Sequence, residues 1–369
     1  MEYEALWVLR DVLSGEILLA KSLLSARQRD LAELLSMVKA ASPVPITAVV
    51  LDRQHSIRKA VAEVFPGVPH QLCHFHFLRE AARPIDEADR HAKKELKKKV
   101  RTVRGVERRT EGRDDREAEV IRGYCSAVRS ALTDDGRPPL EASGLKLHAR
   151  LTAIAGSLDR ANRGRRVPTE LMLLRGTIHR ALVAAGGAFA PILRAFGWVH
   201  RAAHIVGQED IGGATVRYQL SGLLGAIRQH RVAAGEFGGA VDHFLKVTRS
   251  YWPGLFACYD TPDLPRTNND LEQLFGSHRY HERRATGRKG ASPALPPRVP
   301  APLVAGLGTR TGAGTVADLG GVDRTEWKRV RAELEERRQR RVERRRFRRD
   351  PEGHLKALEN QHIQSRLLA

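Results

Sequence analysis

A carboxylate and a cysteine–histidine cluster are placed where divalent-metal chemistry could use them. The apolar run Ile46-Thr47-Ala48-Val49-Val50-Leu51 reads as a strand buried on both faces, and it delivers Asp52 to its carboxyl end. Ligand and metal sites of open α/β sheets lie at that end. A short helix is expected over residues 56–65, with Ile57, Ala60, Val61 and Val64 at helical spacing, and Pro66-Gly67 breaks it. His70-Gln71-Leu72-Cys73 begins a neighbouring strand, and the chain continues Cys73-His74-Phe75-His76. A carboxylate ending one strand beside a polar cluster ending the next is a fitting floor for a divalent cation. Asp52 is equally suited to cap the helix that follows it.

The elements before this site alternate strand and helix. Leu6 to Leu9 and Ile17 to Leu24 flank Ser14-Gly15, which reads as a hairpin turn. A helix over residues 27–41 follows, striped by Leu31, Leu34, Leu35 and Val38 and ended by Pro43 and Pro45. After Arg79 the pattern is helical. Residues 87–109 form a lysine- and arginine-rich stretch with a narrow apolar stripe of Ala92, Leu96, Val100 and Val103. Further helices are expected over residues 115–132, 140–158, 168–185, 216–231 and 235–247. Residues 291–321 are rich in proline and glycine and read as a linker. Residues 323–349 form a highly charged helix candidate, and residues 351–369 carry too little apolar character for an assignment.

Composition bounds the partners. The chain has 369 residues, 41% of them hydrophobic and 5% aromatic, with a formal net charge of +20. That charge favours a polyanion, nucleic acid first and an anionic membrane surface second. No run approaches the roughly 18 consecutive apolar residues of a spanning helix, and Met1-Glu2-Tyr3-Glu4 lacks a leader's basic start. No helix joins a broad apolar face to a basic one, which argues against a membrane partner. A cytoplasmic, nucleoid-associated protein is expected. Cys73, Cys125 and Cys258 are too scattered for a disulfide framework or a second half of a zinc site.

The strings Leu51-Asp52-Arg53-Gln54-His55-Ser56-Ile57 and Val64-Phe65-Pro66-Gly67-Val68-Pro69-His70-Gln71-Leu72-Cys73-His74-Phe75-His76 resemble the centre of Mutator-type (MULE-like) DDE transposases of bacterial insertion sequences. Thr267-Asn268-Asn269-Asp270-Leu271-Glu272-Gln273-Leu274-Phe275, then Arg283-Arg284-Ala285-Thr286-Gly287-Arg288, is similar to the segment carrying the last acid of those enzymes. The resemblance brackets roughly residues 6–291. It implies an α/β RNase H-like core with a large all-helical insertion; the residues beyond it read by themselves as a basic helical C-terminal tail. The expected division is residues 1–78 for the N-terminal part of the core, 79–262 for the insertion, 263–290 for the core-completing helix, 291–322 for the linker and 323–369 for the tail.

The resemblance also implies a reaction: two Mg²⁺ ions, replaceable by Mn²⁺, promote in-line attack on a phosphodiester by water and then by a DNA 3′-hydroxyl. Asp52 and Glu272 are the catalytic, metal-holding acids, and Cys73 and His76 form the Cys-x-x-His motif between the second and third acids. Thr267 and Asp270 suit a capping box, with Leu271, Leu274, Phe275 and His278 as a buried stripe. Glu272 lies off that stripe, sharing a face with Arg279 and Arg283, as a DNA-facing helix requires. Trp252 is a candidate for stacking on an unpaired base, and Arg279, Arg283, Arg284 and Arg288 are candidate phosphate contacts. Each has an ordinary alternative: a solvated charged face for Glu272, a buried thiol and satisfied histidine for the pair, core packing for Trp252. The arginine runs at 337–341 and 344–349 would bind phosphate with little sequence discrimination, or serve as a solvated tail.

The element order matches an RNase H-like domain from its second strand onward. The first strand, which carries the first acid in such nucleases, is missing, and Glu2, Glu4 and Asp11 are not placed to replace it. The expectation is an N-terminally truncated polypeptide without cleavage activity. Its partners would be double-stranded DNA and transposon ends, with homo-oligomerisation of the full-length protein. The competing expectation is a non-catalytic basic DNA-binding remnant.

Overall fold

A tight turn built by Asp11 and Gly15 folds β1 (Ala5–Arg10) against β2 (Ile17–Leu23) as an antiparallel hairpin. Gly15 sits at φ +76°, where a side chain would be strained, and Asp11 Oδ2 accepts the Ser14 amide at 2.7 Å. The structure, a computed structural model, describes residues 5–163, 167–231, 235–286 and 323–367. Two compact units divide the chain: Met1–Ala81 with Arg201–Val232 and Val241–Gly321, and Ala82–His200 with Ala233–Ala240 and Val322–Ala369.

In the first unit, α1 (Gln28–Ala41) lies on α2 (His55–Val64). Their apolar stripes meet: Leu31, Leu34 and Val38 of α1 and Ala60, Val61 and Val64 of α2 are all buried. Each such aliphatic burial contributes about 1.5–3 kcal/mol. Lys39 closes the end of this pair, donating to the Val64 carbonyl at 2.7 Å. The expected strand before Asp52 shortens to β3 (Val49–Leu51), which pairs in parallel with β4 (His70–Leu72) in the register Val49↔His70, Val50↔Gln71, Leu51↔Leu72. Among the described residues the hairpin and this parallel pair are separate two-stranded sheets.

The fully buried Gln71 holds the rest of the unit to β4. Its Nε2 donates to the Leu72 and Leu255 carbonyls, and its Oε1 accepts the Cys258 amide at 3.0 Å. These bonds fix the one-turn 3₁₀ segment Trp252–Gly254 and the short α10 (Ala257–Asp260) beside the strand. The unit also holds α8 (Gly213–Gln229), most of α9 (Gly238–Tyr251) and α11 (Asn269–Thr286).

The expected helix over 87–109 begins earlier and is divided. α3 (His74–Lys99) starts two residues after β4 and runs through Pro84, and α4 (Val103–Arg108) follows separately. A proline inside a helix costs one backbone bond, about 3 kcal/mol; the buried Phe77, Leu78, Ala81, Ala82 and Ile85 around it offset that loss. Ala92, Leu96, Val100 and Val103 are buried as their spacing predicts.

The second unit contains α5 (Arg116–Leu132), α6 (Ser143–Ala161), α12 (Arg324–Arg349), α13 (Pro351–Leu367) and most of α7 (Thr169–Val206). Asp115 caps α5 by accepting the Ala118 amide, and Asp89 of α3 caps α6 by accepting the Gly144 and Leu145 amides at 2.6 and 2.8 Å. Two expectations fall short here. α7 runs 38 residues, well beyond the predicted 168–185, because Phe189, Ile192, Ala195, Phe196 and Val199 continue its buried stripe past Gly186-Gly187 and Pro191. Its most apolar 18-residue window has a mean hydropathy of 1.5, enough by length and composition for a membrane span, with 39% of that window buried. α13 was unassigned from sequence, yet Leu355, Leu358 and His362 form a buried stripe. Glu359 of the same helix accepts from Ser157 Oγ at 2.6 Å and from Arg160.

Gly254 lies close against β4: an added Cβ there would lie 2.6 Å from Leu72 Cγ and 3.4 Å from the His70 carbonyl. Leu72 is fully buried and cannot swing aside. Gly254→Ala is expected to cost about 1–3 kcal/mol by overpacking, read as a lowered melting temperature; a variant melting with the parent would refute the contact.

Candidate functional site

The residues of interest converge on the end of the β3–β4 pair. Asp52 follows the last residue of β3 and is partly exposed; its Oδ1 accepts the Gln54 amide at 2.8 Å. It therefore closes a local turn, whereas the N-cap position of α2 is Gln54, which makes no side-chain capping bond. Cys73 continues the parallel ladder, its amide donating to the Leu51 carbonyl at 2.9 Å. Its carbonyl then accepts the Phe77 amide, the first turn of α3. The next amide, His74, donates to the Arg266 carbonyl at 2.9 Å and draws in the segment that leads to α11.

Because α3 starts at His74, His76 lies in its first turn rather than at a strand end. That brings His76 Nε2 within 3.6 Å of Glu272 Oε1 in the first turn of α11. The His76 side chain is 12% exposed and its Nδ1 has no hydrogen-bond partner. The start of α11 is set by Asn268, whose carbonyl accepts the Leu271 and Glu272 amides, and not by the expected Thr267–Asp270 box. Asp270 instead pairs with Arg10 of β1 at 3.6 Å. Leu271, Leu274 and Phe275 are half-buried, and the His278 side chain lies outside the described residues.

Cys73 is fully buried, and burial pushes its thiol pKa up, against backbone hydrogen bonds at His76 and Asn268. A thiol so held remains protonated near neutral pH, and the Cys73 backbone anchors the start of α3. His74 is also structural: its Nε2 donates to the Leu255 carbonyl at 2.7 Å.

A cleft of about 540 Å³ opens beside Asp52, lined also by Arg53, Arg58, His76, Glu80 and Tyr251. Glu80 was not anticipated from sequence. It lies one turn after His76, a relation visible only once the helix is known to begin at His74. The Arg53 guanidinium lies 5.7 Å from the Tyr251 ring centre, and burial pushes the Tyr251 phenol up to about 12, so it stays a proton donor. The cleft thus offers carboxylates, an imidazole, a phenol and two guanidinium groups to a phosphate-bearing ligand.

The other candidates are dispersed. Trp252 is half-buried and packs edge-on against Phe256, ring centres 5.0 Å apart. Arg279, Arg283 and Arg284 are exposed along α11, with Arg284 donating to the Tyr280 hydroxyl at 2.6 Å; Arg288 lies outside the described residues. Asp11 is committed to its turn.

A two-ion centre needs several oxygen ligands around each hard cation. Among the described residues no group of three or more His, Cys, Asp or Glu side chains is gathered closely enough to hold a metal ion. Asp52 and Glu272 are of the right chemistry, but Glu272 is turned to His76. Among the described residues the arrangement does not fit a Mg²⁺ pair.

Residues 15–80 match the family model described as the MULE transposase domain. The matched segment, similar to that domain, runs from the hairpin turn through the first turns of α3 and contains Asp52, Cys73 and His76; Glu272 and the α11 arginines lie beyond it. No curated protein and no solved structure matches the chain.

The His74 pKa is lowered to about 4 from 6.5, burial being the main cause, with the Leu255 bond opposing it and Arg266 adding to it. A depressed histidine stabilises fully above its unfolded value and loses that contribution as pH falls from 6.5 toward 4, because the unfolded chain takes up the proton first. The loss is about 3 kcal/mol by the low end. His74→Gln should flatten the fall in melting temperature between pH 6.5 and 4; an unchanged slope would exclude His74 as its source.

Proposed function

We propose that this chain acts on DNA as a Mutator-type DDE transposase polypeptide with an RNase H-like core, of the kind found in bacterial insertion sequences. The observation that carries the reading is the meeting of His76 and Glu272 at 3.6 Å, beside the strand that ends on Asp52, in a segment of the MULE transposase type. The order of hairpin, helix, strand, helix and parallel strand supports the core, and the net charge of +20 supports a nucleic-acid partner. Double-stranded DNA and transposon ends are the proposed ligands, held by basic helical surfaces including Arg279, Arg283 and Arg284.

Full transposase chemistry would be Mg²⁺-dependent phosphoryl transfer at Asp52 and Glu272. Because no three-donor cluster is assembled among the described residues, the polypeptide by itself is proposed to bind DNA without cutting it. The same observation favours the second reading, a non-catalytic basic DNA-binding protein acting by occupancy or by sequestering partners.

Gel retardation and plasmid nicking with the full chain test this. DNA should be retained with chelator present, with affinity falling steeply with salt as phosphate contacts release counterions, and no Mg²⁺- or Mn²⁺-dependent nicking should appear. Nicking abolished by Asp52→Ala would replace the non-cleaving reading with an active enzyme. Absence of retention at low salt would remove the DNA assignment.

A further inference from the structure

The N-terminal half of α12 is exposed along its whole length, residues 323–342, while its C-terminal half is rooted. Phe347 is 1% exposed, Ser130 Oγ donates to the Arg344 carbonyl, and Arg348 donates to Thr133 Oγ1. Asp323 caps the exposed half by accepting the Thr325 and Glu326 amides. A helix of such charge ought to be polar all round, yet Trp327, Val330 and Leu334 stand on one face, 50%, 49% and 47% exposed. Their spacing of three and four residues is that of a coiled-coil seam, with Trp327 and Leu334 at a and Val330 at d.

The flanking charges select the occupant. Glu326 and Glu333 fall at g, Arg331 and Arg338 at e. In a parallel pair each g residue meets the e residue five positions on in the other helix, so Glu326 meets Arg331 and Glu333 meets Arg338, twice over by symmetry; these exchange for the exposed pairs that Glu326 and Glu333 make with Arg329, and Arg338 with Glu335, along the single helix. An antiparallel pair layering Val330 on Leu334 would instead set Glu333 against Glu333 and Arg331 against Arg331. Arg331 already lies over the Trp327 ring, 5.0 Å from its centre, beside the seam. Arg337 and Arg341, at the next d and a positions, end the seam by repulsion.

We propose that the exposed half of α12 pairs in parallel with the same segment of a second copy of this chain, through Trp327, Val330 and Leu334 and the Glu–Arg pairs that flank them. Three apolar layers fall short of the roughly three to four heptads of a self-sufficient coiled coil, so the association is weak and concentration-dependent. It gains when two copies are already held close together. The pairing does not rest on the transposase reading and is measured without DNA.

Sedimentation equilibrium of the full chain over a hundredfold concentration range should show a monomer–dimer equilibrium. Glu333→Arg should weaken it at least about tenfold, the double variant Glu333→Arg/Arg338→Glu should restore it, and Ala332→Lys, at the outermost f position, should leave it unchanged. Leu334→Cys should give a disulfide-linked dimer under mild oxidation, since a positions face each other only in the parallel pair. These side chains are exposed, and far-UV circular dichroism confirms that each variant keeps its helices. A monomer at every concentration, a dimer indifferent to Glu333→Arg, or a double variant that is not restored would overturn the proposal. So would Trp327→Ala altering only DNA retention, which would assign the face to nucleic acid.

Discussion

The hydrogen bond from the Cys73 amide to the Leu51 carbonyl organises the candidate site. It is the last rung between β3 and β4, and it sets the level at which both strands stop. Asp52 leaves one side of that rung and α3 begins on the other, so the acid and His76 reach the same cleft. The neighbouring His74 amide, bonded to Arg266, brings the start of α11 and Glu272 to the same place. Cys73 suits this position because it is small, fully buried and content as a neutral thiol.

Buried polar groups fix that arrangement more sharply than apolar contacts alone could. Gln71 and His74 both reach the Leu255 carbonyl from β4 and the start of α3, and Gln71 also takes the Cys258 amide. Such groups are costly if left unpaired, so only one placement of the 252–260 segment satisfies them. Tyr251, just before this segment, and Phe256 within it are the rings against which Arg53 and Arg217 rest. The cleft beside Asp52 is thus framed by parts of the chain whose local sequences carry no sign of their association.

The helical unit follows a different logic. Its core is built from ordinary apolar stripes, and its polar bonds cluster where helices begin or end, as at Asp89 over the start of α6 and Glu359 over Ser157 and Arg160. Basic charge is left on the outside, most densely along α12. There the acids lie within one turn of arginines and pair with them along the helix, as Glu333 does with Arg329 and Arg337. Exposed pairs of this kind add little stability. Their value lies in keeping a highly cationic helix from repelling itself.

Sequence by itself determined the local elements that bring Asp52 and Cys73 to the site, namely the turn at Gly15, the stripes of α1 and α2 and the neighbouring strands β3 and β4, and in the other unit the buried Ala92–Leu96–Val100–Val103 stripe. These depend on side-chain periodicity and short-range backbone bonding, which neighbours in the chain dictate. Only the tertiary structure decided that His76 faces Glu272, that Glu80 joins the cleft, that Trp252 packs on Phe256, and that α7 and α13 persist. α13 shows why: its buried positions are just Leu355, Leu358 and His362, a stripe too thin to read until α5 and α6 cover it. The contacts that complete the site join residues far apart in the chain, and their energy exists only once both partners are in place. Local pattern therefore specified the parts, and long-range burial of a few polar groups specified where they meet.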